Sequence, residues 1–180
     1  SSTIPTRRGY DFVSWNTKAD GTGTSYNAGG TYTQDAPLTL YAIWKAKKVT
    51  LTDSLNIGEL YSYNTDPPAT DTKKLKIDLT NVKTLSFKTS AKWGYRNNVK
   101  ATVSLIVGGT EVKSLDIIQG DDNPVIHSIE WDVSSITGTA TLQLYGYATG
   151  GTEYSWGGYD FPAWQSNIGP LSVTNIVLQY

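Results

Sequence analysis

His127 stands between Ile126 and Ser128, and Glu130 and Asp132 follow it at a spacing of two. On a strand, side chains at i and i+2 share a face roughly 6–7 Å apart. That is a span across which two carboxylates can act on a glycosidic bond. A Ser-His-Asp arrangement lacks its usual carrier, because no Gly-x-Ser-x-Gly elbow occurs. Acidic residues on the wet face of a strand, and a single surface histidine, account for the same pattern without catalysis. We therefore read the chain as a non-enzyme.

Metal chemistry is narrowed in the same way. With no cysteine and one histidine, thiolate and multi-histidine sites are excluded, as are disulfides and a thiol nucleophile. Oxygen donors gather in Gln119-Gly120-Asp121-Asp122-Asn123-Pro124. Asp121 and Asp122 offer carboxylates to Ca²⁺, although no EF-hand spacing is present and the same residues favour an Asx-type turn before proline. A structural Ca²⁺ there is the one cofactor the sequence offers.

Binding is better represented than catalysis. Trp93, Tyr95, Arg96 and Asn97 fall in one loop-like stretch, and Tyr154, Trp156, Tyr159, Trp164 and Gln165 in a second, glycine-interrupted one. Sugars present apolar faces that stack on Trp and Tyr, while their hydroxyls need amides and charged groups nearby. These nine residues supply that mix and form the expected ligand site. The competing reading is that the loops fold over and bury the rings as a satellite core.

The elements that must position these residues are strands. The hydrophobic fraction is 38% and the charged fraction 17%; the Thr, Ser, Asn and Gly that fill the remainder suit sheet and loop. Val99, Ala101, Val103, Leu105 and Val107 alternate with Lys100, Thr102 and Ser104, and Gly108-Gly109 then predicts a tight hairpin. Ile77 with Leu79, Leu85 with Phe87, and Ile129 with Trp131 and Val133 make further apolar faces. Ala140, Leu142 and Leu144 form another, which sets Gln143, Tyr145 and Tyr147 on the opposite face. In LSVTNIVLQY, Leu171 and Val173 are odd-numbered but Ile176, Leu178 and Tyr180 are even, which predicts a bulge near Thr174-Asn175. Seven or more short strands with turns between them fit an antiparallel sandwich.

Nearer the N-terminus, Tyr10, Phe12 and Ser14 are expected to oppose Asp11, Val13 and Trp15, and Tyr41 shares a face with Ile43. Here Pro5, Arg8-Gly9-Tyr10, Phe12, Trp15, Gly21 and Leu40-Tyr41-Ala42-Ile43-Trp44 resemble the internalin B-repeat, or Listeria–Bacteroides repeat, family. Ser14 departs from the glycine that family usually places before the Trp. The resemblance implies a small β-grasp domain of the kind found in tandem on bacterial surface proteins. It also implies strands before Pro5, so that residues 1–45 hold the C-terminal half of such a repeat, with an open edge that another chain or the missing strands would cover.

Lys45, Lys47 and Lys48 sit at the seam. They are read as a solvated connector, residues 46–48, rather than as an anionic-surface contact. Residues 49–180 then form the sandwich. WDVSSITGTATLQLYGYA and LSVTNIVLQ resemble the closing strands of jelly-roll modules, including carbohydrate-binding ones. The expected fold is all-β: a partial β-grasp-type repeat followed by a jelly-roll-like sandwich.

The formal net charge of −1 gives no basic field for nucleic acid or an anionic membrane, and no apolar run is long enough to span a bilayer. The absence of methionine points to a piece of something larger. The expectation is a non-catalytic, glycan-binding or adhesive module of an extracellular surface protein. The alternative is a structural appendage of a cell surface or virion that makes protein contacts.

Overall fold

The computed structural model describes residues 3–33, 35–62, 67–93, 99–117, 124–150, 154–156, 159–161 and 166–180. Every regular element among them is a strand. β1 (Tyr10–Asn16), β2 (Ser25–Tyr26) and β3 (Tyr41–Ala46) make an antiparallel sheet in the order β2-β1-β3. The strict alternation expected through β1 fails at one point. Phe12 pairs with Trp44 and Ser14 with Ile43, so Val13 is an extra, exposed residue in a bulge. The bulge turns Trp15 to the face of Phe12, where Phe12 packs edge-on against both Trp15 and Trp44, with centroids 5.4 and 5.7 Å apart.

Ser14 and Asn16 are buried on the other face. Asn16, wholly buried, organises the loop after β1. Its Nδ2 donates to Gly21 O, Gly23 O and Ser25 Oγ, and its Oδ1 accepts from the N–H groups of Lys18 and Gly23. A single amide side chain thus replaces the ladder that the turn interrupts.

The remaining strands are β4 (Lys48–Thr50), β5 (Leu55–Ile57), β6 (Leu60–Ser62), β7 (Ala69–Asp78), β8 (Thr84–Trp93), β9 (Val99–Val107) and β10 (Thr110–Asp116). They continue with β11 (Val125–Asp132), β12 (Thr139–Ala148), β13 (Tyr154–Trp156), β14 (Tyr159–Phe161) and β15 (Ser166–Gln179). One sheet runs β10-β9-β12-β7 and the other β11-β8-β15-β4, with β5 and β6 also pairing β15 along the β4 edge. β13 and β14 pair only with each other. If β4, β5 and β6 count as one interrupted edge strand, successive strands change sheet at every step except the β9–β10 hairpin. That is the connectivity of a jelly roll, two sheets wound from paired Greek keys.

The sandwich core is the set of inward positions that the alternation marks. Ile77, Leu79, Leu85, Phe87, Val103, Leu105, Leu142, Leu144, Leu171, Val173, Ile176 and Leu178 are all buried. Ile129 and Trp131 are half-buried against this core, and the Trp131 ring meets Phe87 edge-on at 4.9 Å. Gly108 and Gly109 both take positive φ, 57° and 86°, as a type I′ hairpin requires. The ladder between β15 and β8 shifts between Thr174 and Val177, and Asn175 adopts φ 50°, so the expected bulge is present. Gly146 occupies an inward position of β12. A Cβ there would lie 2.9 Å from Cδ1 of both Leu60 and Leu171, so glycine is what lets the two sheets approach.

The sandwich and the N-terminal sheet are joined by more than the chain. The Arg8 guanidinium meets Asp78 Oδ2 at 2.5 Å, at the end of β7. The Lys47 N–H donates to Gly9 O, and the Tyr180 N–H donates to Lys47 O. Tyr180 is buried with the sandwich core, and half-buried Tyr10 packs against that core from the other side.

Candidate functional site

The expected site cannot be assembled from the described residues. Tyr95, Arg96, Asn97, Trp164 and Gln165 lie outside them, as do Asp121 and Asp122. Trp93, Tyr154, Trp156 and Tyr159 are placed only as strand positions, at the end of β8 and in the β13–β14 hairpin. Trp93 pairs with Ile168 of β15. His127, Glu130 and Asp132 are exposed on β11, an edge strand. Asp132 is held below its ordinary pKa by hydrogen bonds from Ser134, whose N–H donates to Oδ1 at 2.9 Å. That arrangement caps a turn. Among the described residues no group of three His, Asp or Glu side chains stands close enough to hold a metal ion.

What the described residues do assemble is an aromatic stripe on the outer face of the β10-β9-β12-β7 sheet. Along β12, Ala140, Leu142, Leu144 and Ala148 are buried, while Thr141, Gln143, Tyr145 and Tyr147 alternate with them and remain half-exposed. Tyr145 and Tyr147 are therefore outward neighbours on an inner strand of the sheet, roughly 6–7 Å apart along it.

The register supplies their polar surroundings. Tyr145 is flanked by Thr72 on β7 and Thr102 on β9, and Tyr147 by Thr70 and Lys100. Gln143 lies between Lys74 and Ser104. Beyond β9, the Thr102 hydroxyl donates to Asp116 Oδ1 at 3.0 Å and the Ser104 hydroxyl to Glu111 Oε2 at 2.6 Å. The bonds from Ser104 and then Ser114 hold the Glu111 carboxyl below its ordinary pKa. Lys100 Nζ stands 3.9 Å from Asp116 Oδ1.

Two stacked-out phenol rings, bordered on both sides by hydroxyls, an amide, ammonium groups and carboxylates, can take an apolar face and satisfy the polar rim around it. The alternation in β12 already assigned Tyr145 and Tyr147 to this face. The flanking set is invisible without strand order, because β7, β9 and β12 are far apart in sequence.

A second concavity lies in the N-terminal sheet. Trp15, Tyr26, Asn27, Gly30, Tyr32, Leu38 and Leu40 line a cleft of about 270 Å³, with Tyr26 and Tyr32 edge-to-face at 6.1 Å. Apart from Asn27, its side chains are aromatic or aliphatic, so it offers less for sugar hydroxyls than the sandwich face does.

Comparison with known proteins bears on the N-terminal sheet. Residues 1–43 match the family model of the Listeria-Bacteroides repeat domain. A protein of Evansella cellulosilytica, provisionally named a membrane protein, is 44% identical over 48 residues. That match takes in 26% of this chain and 7% of the relative's length. Among solved structures, a chain of infectious bursal disease virus, Gx strain, is similar over 83% of this chain and 36% of its own, at 14% identity and a TM-score of 0.43. The enzymatically active domain of a bacteriophage CBA120 tailspike is similar over 74% of this chain and 19% of its own, at 10% identity and a TM-score of 0.41. At such scores the jelly-roll topology stands on the strand pairing itself.

Proposed function

We propose that this chain is a non-catalytic, carbohydrate-binding or adhesive module of a larger extracellular surface protein, and that a glycan lies along Tyr145 and Tyr147. The repeat at residues 1–43 supports the surface, modular part of this reading. The observation that carries the glycan part is the pairing of two outward tyrosines on β12 with Thr72, Thr102, Thr70 and Lys100 as register neighbours. A sheet face is a rigid platform, so little ordering entropy opposes an extended saccharide laid across it.

Affinity electrophoresis through gels containing single polysaccharides tests the reading. The chain should be retarded by at least one of them, and Tyr145→Ala with Tyr147→Ala should abolish the retardation without lowering the melting temperature. Retardation that survives the tyrosine changes but disappears with Trp93→Ala or Trp156→Ala would move the site to the loops. No retardation by any polysaccharide would overturn the glycan reading.

A further inference from the structure

The most basic concavity of the molecule lies elsewhere, where the N-terminal sheet meets the sandwich. A groove of about 300 Å³ there is lined by Arg7, Arg8, Tyr10, Asn81, Val82, Lys83 and Ser134. From this arrangement we infer that the groove is a binding site for a single oxyanion group, a carboxylate or a phosphate. The inference is independent of the glycan reading for β12.

Charge accounting at the groove supports it. Asp78 is already engaged, by Arg8 and by the Thr80 N–H. Neither Arg7 nor Lys83 forms an ion pair with a described residue. The Arg7 guanidinium lies 3.9 Å from the centroid of the Tyr10 ring, which fixes its plane while leaving its N–H groups free for an acceptor. Asn81 and Ser134 add neutral donors on the opposite wall. An entering oxyanion therefore meets two uncommitted cations and a third held in place by Asp78.

The connector lysines join the same end of the molecule. Lys48 pairs with Gln179, and the Lys83 N–H donates to the carbonyl of that same Gln179. The Lys47 N–H is bonded to Gly9 O, next to Arg8. Residues that read as a solvated linker in the sequence thus rim the groove and raise its local potential, on a chain whose overall charge is −1. With that overall charge and a recessed site, one anionic group fits better than an extended phosphate surface such as a membrane or nucleic acid.

The test is an amide NMR titration of the intact chain with inorganic phosphate, with galacturonate, and with neutral galactose. Phosphate, galacturonate or both should shift the amides of Arg7, Arg8, Asn81, Lys83 and Ser134, and galactose should leave them unmoved. Which of the two anions binds more tightly identifies the source of the oxyanion. Arg7→Ala with Lys83→Ala should weaken binding at least tenfold with an unchanged melting temperature, since neither residue forms an ion pair that holds the fold. Tyr145→Ala with Tyr147→Ala should leave it intact, which separates this site from the glycan face. Shifts spread equally over Lys73, Lys74, Lys76 and Lys100, or affinity unchanged in the double variant, would overturn the inference. So would tighter binding to anionic phospholipid vesicles than to either small anion.

Discussion

The side chain of Tyr180 occupies the space that a Cβ on Gly9 would need, so the last residue of the sandwich and a turn of the N-terminal sheet are in direct contact. Gly9 also has φ +77°, a conformation that penalises any side chain. Glycine is required there for two separate reasons.

Gly9→Ala should therefore loosen the N-terminal sheet from the sandwich. Small-angle scattering should show a larger radius of gyration, and thermal unfolding should resolve two transitions in place of one. Tyr180→Ala should cost about 2–4 kcal/mol, because the ring is buried with the sandwich core. The double variant should lose less than the sum of the two, since residues in contact are not additive.

Asp78 makes the same junction sensitive to acid. Hydrogen bonds from Thr80, and after them the bond from Arg8, lower its pKa from the ordinary 3.8 to about 2. A carboxylate depressed in this way stabilises the folded state fully above 3.8, and the contribution fades as pH falls toward 2. Asp78→Asn should flatten the acid limb of the stability curve between those values, leaving neutral behaviour nearly unchanged because the pair is half-exposed. Urea melts at a series of pH values measure this, and an unaltered acid limb would contradict it.

Replacement of Asn16 by Ala removes both ends of a buried amide network. The N–H groups of Lys18 and Gly23, and the carbonyls of Gly21 and Gly23, lose their partner together. A loss of about 2–3 kcal/mol is expected. Hydrogen exchange should accelerate in residues 17–25 before it does so in the sandwich.

Thr89 invites the opposite change. Its hydroxyl is buried between the sheets with no hydrogen-bond partner. Thr89→Val keeps the shape and removes the desolvated polar atom, so stability should rise by about 1 kcal/mol. For a chain of this size that is about 2–4 °C in melting temperature by differential scanning calorimetry.

Much of the architecture was legible from side-chain period. Leu142 and Leu144 against Tyr145 and Tyr147, the Gly108-Gly109 hairpin, and the parity change at Asn175 all follow from a two-residue repeat and turn chemistry. Val13 was not legible, because apolar residues at 12, 13 and 15 fit an unbroken alternation as well as a bulge; only the pairing with β3 decides. The flanking set of the tyrosine face and the basic groove were hidden for a different reason. Both are built across strands, so Thr72 beside Tyr145, or Lys83 beside Arg7, depends on strand order, which local sequence does not encode. The residues that looked most like a ligand site, Tyr95 to Asn97 and Trp164 with Gln165, lie outside the described residues, so that expectation passes to experiment.

The placement of β15 has a consequence for synthesis. This strand lies between β8 and β4, and it also pairs with β5 and β6. One of the two layers therefore has no middle until residues 166–180 have left the ribosome. Until then β8 and the β4–β6 segment present bare hydrogen-bonding edges to the cytosol or to a translocation channel. Local contacts cannot relieve this, since β9–β10 is the one hairpin formed within either layer. Nascent chains of this protein should be captured by holding chaperones up to the last fifteen residues and released abruptly after them.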